Sequence, residues 1–256
     1  MNPSFRQFLE LPLHQKLAFI RYLTVSNHDA DSDGVEASAS KVAHQFRRAY
    51  NQLPCSRQTR ERRAQLFLDM GFQHKEVCLL GDDDLVAVEL IRLGFTQVTV
   101  YDCDAQVLSQ IADKIPDSRR GHLHLKQADF NQAKDLRHHF ADLVCIDPPY
   151  HRQGIRLFME TALTCSRQDQ GARLILMTVP LLFHNRRSDW REIEDRLIRN
   201  HFRQIESHRS FNAYPLDDTS RMLLYLASRL PGIGPQPHRM MKAFEFFSDC
   251  LVWERA

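Results

Sequence analysis

The chain has little net charge: 34 Lys and Arg against 32 Asp and Glu leave a formal +2. That balance argues against a broad electrostatic partnership with nucleic acid or an anionic membrane, although it permits a local patch. There is no Cys-x-x-Cys pair among the six cysteines at 55, 78, 103, 145, 165 and 250. Cys78 and Cys145 fall inside apolar runs, where a reduced thiol serves as a small hydrophobe. The expected compartment is therefore a reducing cytoplasm, without a disulfide framework. No apolar run reaches the roughly 20 residues of a membrane span, the N-terminus does not read as a signal peptide, and repeats and low-complexity tracts are missing. The 13 histidines do not suggest a metal site. His138 and His139 are adjacent on an expected helix and point apart, while His122 and His124 share a strand face without an evident third ligand. No metal is expected.

What is present is a chain of 256 residues, 43% hydrophobic and 26% charged, long enough to bury a sizeable core. Residues 1–50 are expected to form a helical N-terminal region and linker. Within it Phe5, Phe8, Leu9, Leu13, Leu17, Ile20 and Leu23 recur at mostly helical spacing. Residues 51–230 read as the main domain, opening with a basic helix over 59–70 that Gly71 is placed to end. Strands are expected at 77–80, 97–101, 122–126, 142–146 and 173–178, with helices near 84–93, 104–114, 132–139 and 154–166 between them. A helix near 188–200 and strands near 203–209 and 221–228 follow. This alternation implies an α/β fold: a class I methyltransferase-like (Rossmann-like), mostly parallel seven-stranded sheet with an antiparallel edge pair. Residues 231–256, rich in Pro and Gly before an aromatic end, read as a C-terminal extension, a lid or a dimer element.

The stretch Val77-Cys78-Leu79-Leu80-Gly81-Asp82-Asp83-Asp84 ends an apolar strand in three neighbouring acids. At an effective dielectric of about 20, unit charges roughly 5 Å apart interact by about 3 kcal/mol. Such a loop is better stabilised by a cationic ligand than by water. The alternative is that Asp82 caps the next helix while Asp83 and Asp84 meet its dipole. In an open α/β sheet ligands sit beyond the carboxyl ends of the strands, so the acids after the later strands join the candidate site. Asp102 is placed to accept from ribose hydroxyls, and Asp104 to cap a helix. Asp129 could accept from an adenine amino group or cap a turn.

After the fourth strand comes Asp147-Pro148-Pro149-Tyr150. Two prolines stiffen the turn and fix the directions of the carboxylate and the ring. That suits a reaction at an amine nitrogen, with the lone pair aimed at an electrophilic carbon. A purely structural diproline turn is the other reading.

Taken together, the 79–85 run, Val100-Tyr101-Asp102-Cys103-Asp104, and Asp147-Pro148-Pro149-Tyr150 followed by Gly154-Ile155-Arg156-Leu157-Phe158 resemble the branched-chain polyamine synthases. The likeness covers roughly residues 50–228, with Gln52 to Arg63, Pro54 and Thr59 among them, similar to the segment that leads into that family's catalytic domain. Ile146 and His151 depart from the family pattern, which has proline and threonine there. The resemblance implies an aminopropyltransferase that moves the aminopropyl group of decarboxylated S-adenosylmethionine to a polyamine such as spermidine, releasing methylthioadenosine. It implies Asp147 and Tyr150 as the catalytic pair. Donor contacts fall to Gly81, Asp82, Asp83, Asp84, Leu85, Asp102, Cys103 and Asp129. Acceptor contacts fall to Asp82, Asp147, Pro148, Pro149 and Tyr150; Tyr214 and Asp217, with Asn212, are placed in a loop expected between the closing strands where they could close over the acceptor, and an ordinary polar hairpin loop is the other reading. No prosthetic cofactor is expected beyond the co-substrate, the expected partner is a small polyamine, and the expected assembly is a homodimer.

Two rivals remain. An adenine-amino methyltransferase acting on RNA or DNA could use the same Asp-Pro-Pro-Tyr turn, with the arginines at 57–63 and 186–191 on phosphates. Against it, Asp83 stands where a methyltransferase loop has its second glycine. The other rival is a non-catalytic polyamine or nucleoside-binding protein.

Overall fold

The computed structural model describes residues 55–132, 136–149, 152–178, 187–215 and 245–256. The helical pattern over 1–50, Tyr150, His151, Asp217, the strand expected at 221–228 and the Pro/Gly-rich connection after it lie outside them.

Ser56 opens the first helix, α1 (Arg57–Asp69), by accepting from the Thr59 N–H at 3.2 Å, and Gly71 at φ +80° carries the chain away from its end. β1 (Val77–Leu80), α2 (Val86–Arg92), β2 (Val98–Asp102), α3 (Ala105–Lys114), β3 (Leu123–Gln127), β4 (Leu143–Ile146), α4 (Arg152–Cys165) and β5 (Arg173–Thr178) follow in alternation. After α5 (Arg187–Arg199) come β6 (Phe202–Pro215) and β7 (Glu245–Arg255). The sheet runs β3-β2-β1-β4-β5-β7-β6, with β1 to β5 parallel and β7 antiparallel to both its neighbours. This is the methyltransferase-like order expected from the alternation.

Side chains of a strand alternate between faces, and both faces are covered here. Val77, Leu79, Val98, Val100, Ile175 and Met177 pack on one side with the apolar stripes of α1, α2 and α3. Cys78, Leu80, Tyr101, Val144, Ile146 and Leu176 pack on the other with α4 and α5. Continuous apolar runs such as 77–80 are what a two-faced parallel strand requires. None of the described helices is long and apolar enough to cross a membrane.

Two expectations are corrected. The helix near 132–139 is replaced by a short 3₁₀ turn, Phe130–Gln132, and an irregular passage at 136–139. There the backbone finds partners on other elements: Arg137 N–H donates to the Tyr101 hydroxyl at 3.1 Å and His139 N–H to the Thr164 carbonyl at 2.9 Å. The end of the chain is a sheet strand, since Glu245–Arg255 inserts between β5 and β6, pairing Leu176 with Leu251 and Ser207 with Leu251 on opposite edges. The alternation of buried Cys250, Leu251, Val252 and Trp253 between the two faces supplies the apolar contacts that hold it there.

Candidate active site

Strand register gathers the acids. Leu80 pairs with Tyr101 on one side and Ile146 on the other, so Gly81, Asp102 and Asp147 leave the sheet at one edge. Gly81 sits at φ +72°, and a Cβ there would come within 3.3 Å of Phe158 Cε1. A glycine therefore suits both the backbone turn and the approach of α4.

The three acids after Gly81 have three different fates. Asp82, 2% exposed, turns inward and accepts from the N–H groups of Val86 and Ala87 at 2.7 and 2.9 Å. It caps α2, as the alternative reading held, and both its oxygens are engaged there. Leu85 supports this cap from the left-handed region at φ 59°, a conformation unfavourable to a branched side chain. Asp84 is also buried; it accepts from the Cys55 N–H and pairs with Arg63. Asp83 is half-buried and has no hydrogen bond or ion pair among the described residues. Burial first, then the charges of Asp84, Asp102, Asp147 and Asp82, raise its carboxyl well above the ordinary range. Within this loop Asp83 is the carboxylate whose charge the protein leaves uncompensated.

Arg63 is the residue the sequence hid. It projects from α1 into the acidic edge and is 2% exposed. Its Nε donates to Asn212 Oδ1 at 2.7 Å, Nη1 to Asp84, and Nη2 to both Asp147 Oδ2 and the Tyr214 hydroxyl at 2.8 Å. The Tyr214 hydroxyl in turn donates to the same Oδ2. Burial opposes the guanidinium charge, yet Tyr214, Asp84, Cys55 and Asp147 around it hold the group protonated. Asp147 Oδ1 takes no hydrogen bond among the described residues. Burial raises the Asp147 carboxyl above its usual range; Arg63 opposes this, Asp84 adds to it, and the bonds from Tyr214 and Arg63 lower it again.

Asp102 accepts backbone N–H groups of Asp82 and Asp104 at 3.0 and 2.8 Å, one on each oxygen. An ionised carboxylate has about four lone-pair directions, so it retains acceptor capacity. Asp104 caps α3 at the Gln106 N–H, as expected. The Cys103 thiol is pushed up to about 11, by desolvation and then by Asp102, Asp104 and Asp129. Asp129 is exposed and accepts from Asn131 N and Nδ2, closing the 3₁₀ turn. Phe130 and Phe158 stack edge-to-face at 5.0 Å beside Gly81.

The fold therefore brings Gly81, Asp82, Asp83, Asp84, Leu85, Asp102, Cys103, Asp147 and Tyr214 to one sheet edge, with Asp129 at its rim. Pro148 is buried and Pro149 half-buried beside them. Tyr214 and Asn212 lie on β6 and not in a loop. Ser248 and Phe130 had no signal in local pattern, while Arg63 and Phe158 fall in stretches that carry the family resemblance without marking their part in the site. The arginines of α1 do not form a phosphate-facing row: Arg63 is buried, Arg60 meets Glu89 and the Asp84 carbonyl, and Arg62 bonds the Phe211 carbonyl. Among the described residues no group of three or more His, Cys, Asp or Glu could hold a metal ion.

With this geometry in place, comparison with known proteins decides the family. The model of the branched-chain polyamine synthase A C-terminal domain matches residues 38–233. The chain belongs to that family. The N(4)-bis(aminopropyl)spermidine synthase of Thermococcus kodakarensis is 30% identical over 182 residues, 67% of this chain and 48% of its own length. The chain thus spans about half of that relative. Among solved structures, the branched-chain polyamine synthase of Thermus thermophilus, in complex with N4-aminopropylspermidine and 5'-methylthioadenosine, superposes with a TM-score of 0.61 at 18% identity, over 81% of this chain and 58% of that one. A Pyrococcus horikoshii protein described as a candidate RNA methyltransferase superposes at 0.51 with 14% identity, over 75% and 81%. At these identities the structures speak for the fold alone. Branched-chain polyamine synthase family membership and the methyltransferase-like sheet are thus both established, and the chemistry has to be argued from the site.

Proposed function

We propose that this protein is an aminopropyltransferase that moves the aminopropyl group of decarboxylated S-adenosylmethionine to an amine of a spermidine-like polyamine, giving a branched product and methylthioadenosine. The observation that carries this reading is Asp83, a carboxylate without a partner among four other acids. A site of that kind recognises a cation with no acid group of its own. The donor's terminal ammonium fits it; a donor bearing an α-carboxylate does not.

In the reaction the neutral acceptor nitrogen attacks the propyl carbon next to the sulfonium. A C–N bond forms, the C–S bond breaks, and its electron pair returns to sulfur as a neutral thioether. The proton lost by the acceptor passes to Asp147 Oδ1, whose raised carboxyl suits an acceptor role at a half-buried position. The negative edge also favours the sulfonium until its charge is discharged. Asp102 is assigned the ribose hydroxyls, and Phe130 and Phe158 the apolar wall of the donor pocket. Asp129 is assigned the rim of the adenine. Tyr150 keeps its proposed part in holding the acceptor by resemblance to the family, and Asp217 keeps its own from its place in the sequence shortly after Tyr214.

Incubation with decarboxylated S-adenosylmethionine and a panel of polyamines, followed by mass spectrometry, tests this. Aminopropyl addition with stoichiometric methylthioadenosine is expected. Binding without methylthioadenosine would indicate a sensor, and methyl transfer from intact S-adenosylmethionine to nucleic acid would replace the reading.

A further inference from the structure

We infer that Arg63 and Tyr214 clamp Asp147 by one oxygen so that the other faces the acceptor nitrogen, and that the buried guanidinium keeps this nitrogen from being locked as an ammonium. The inference rests on aminopropyl transfer as proposed above and adds a positioning residue on α1. The problem it answers is chemical. A lone carboxylate beside an amine forms an ion pair and raises the amine's affinity for its proton, but an ammonium has no lone pair with which to attack carbon. A fixed positive charge on the far side of the same carboxylate opposes that protonation. Like charges within a few ångströms shift a pKa by about one to three units.

The geometry is suited to this task. The guanidinium cannot lose its proton under working conditions, and its planar fork is spent on four partners: Asp84, Asp147, Tyr214 and Asn212. Its helix is pinned to β6, where Ser56 N–H donates to the Ala213 carbonyl at 2.7 Å and Ala213 N–H to Thr59 Oγ1 at 2.8 Å. Asn212 is held from behind by its Nδ2, which donates to Ser248 Oγ at 2.9 Å. Both donors to Asp147 converge on Oδ2, leaving Oδ1 as the free acceptor among the described residues. The other titratable groups facing Asp147 are Asp83 and Asp84 from the acid loop, Cys55 before α1, Cys145 on its own strand and Cys250 on β7. None of them carries a positive charge. In the step itself the neutral acceptor nitrogen attacks the propyl carbon, the C–N bond forms as the C–S bond breaks with its pair returning to sulfur, and the proton of the resulting tertiary ammonium passes to Oδ1.

The test is kcat and polyamine KM against pH for the wild type, Arg63→Gln, Arg63→Lys and Tyr214→Phe. In Arg63→Gln the low-pH limb of kcat should move upward by roughly one unit or more. The rate near neutrality should then fall at least tenfold and recover on the alkaline side, with polyamine KM unchanged or lower. Arg63→Lys should lower kcat but leave the limb in place. Tyr214→Phe should move the limb in the same direction by less, since the charge of Arg63 opposes Asp147's raised affinity for its proton more than the Tyr214 bond does. A uniform loss of rate in Arg63→Gln with the limb unmoved overturns the inference. If that variant does not fold, an unmoved limb in Tyr214→Phe overturns it instead. A wild-type protein that transfers no aminopropyl group overturns the function it rests on and this inference with it, whereas an active wild type with unmoved limbs overturns this inference alone.

Discussion

Arg63 Nη2 lies 2.8 Å from Asp147 Oδ2 across 84 positions of sequence, joining the first described helix to the end of the fourth strand. Through the same side chain Asp84 is joined to both, so one guanidinium neutralises part of an edge that carries five carboxylates: Asp82, Asp83, Asp84, Asp102 and Asp147.

Removing that guanidinium strands one buried carboxylate, Asp84, and one half-buried one, Asp147. Breaking a buried pair by deleting one partner costs about 3–5 kcal/mol, so Arg63→Met is expected to lose stability in that range by urea denaturation. Adding Asp84→Asn should recover part of the loss, because one of the orphaned charges is then gone. Additive losses in the double variant would show that the two side chains do not interact.

Asp147→Asn keeps the shape of the carboxylate but cannot take the acceptor's proton. Donor affinity should stay near wild type while turnover falls by about 10²–10⁴-fold. Calorimetry and a methylthioadenosine release assay measure the two separately. Near-normal turnover would mean that another group handles the proton.

Asp83 gives a pH dependence whose sign is set by burial. Its carboxyl in the folded protein lies well above the ordinary value of 3.8. Folding is therefore unpenalised by this group while it is protonated in both states, and loses stability as pH rises through the raised folded value. Asp83→Asn should match the wild type in acid and become more stable than it toward neutral and alkaline pH. Thermal melts across that range would show the difference growing with pH; a constant difference would mean the charge is not the cause.

Gly81→Ala meets two obstacles, a positive φ and the Phe158 ring edge 3.3 Å from the new Cβ. Gly171→Ala, at φ +85° with nothing within 4 Å, meets only the first. Each is expected to cost about 1 kcal/mol for the backbone, and Gly81→Ala should cost more and weaken donor binding. Equal losses with unchanged donor affinity would remove Phe158 from the pocket wall.

Much of this was legible in the chain because parallel strands announce themselves locally. The run 77–80 is apolar at every position since both faces are covered, and a glycine and acids at its end follow from where such a strand stops. Asp104 as a cap was equally local. Arg63 was not, because arginines at 57, 60, 62 and 63 look like a solvated helix face until Asp147, Asn212 and Tyr214 arrive from 84, 149 and 151 positions away. β7 was missed for the same reason: its alternation makes sense only once β5 and β6 flank it. Asp82 showed the opposite limit, since a ligand carboxylate and a cap have the same local sequence and differ only in where the oxygens point.

The most direct measurement is a calorimetric titration of wild-type protein and Asp83→Asn with decarboxylated and with intact S-adenosylmethionine. Placing a carboxylate roughly 5 Å from one aspartate costs about 3 kcal/mol at an effective dielectric of about 20, on the order of a hundredfold in affinity. The wild type should favour the decarboxylated donor by about that factor, and Asp83→Asn should narrow the gap by weakening the one and admitting the other. Equal affinity of the wild type for both donors would contradict selection by the unpaired acid.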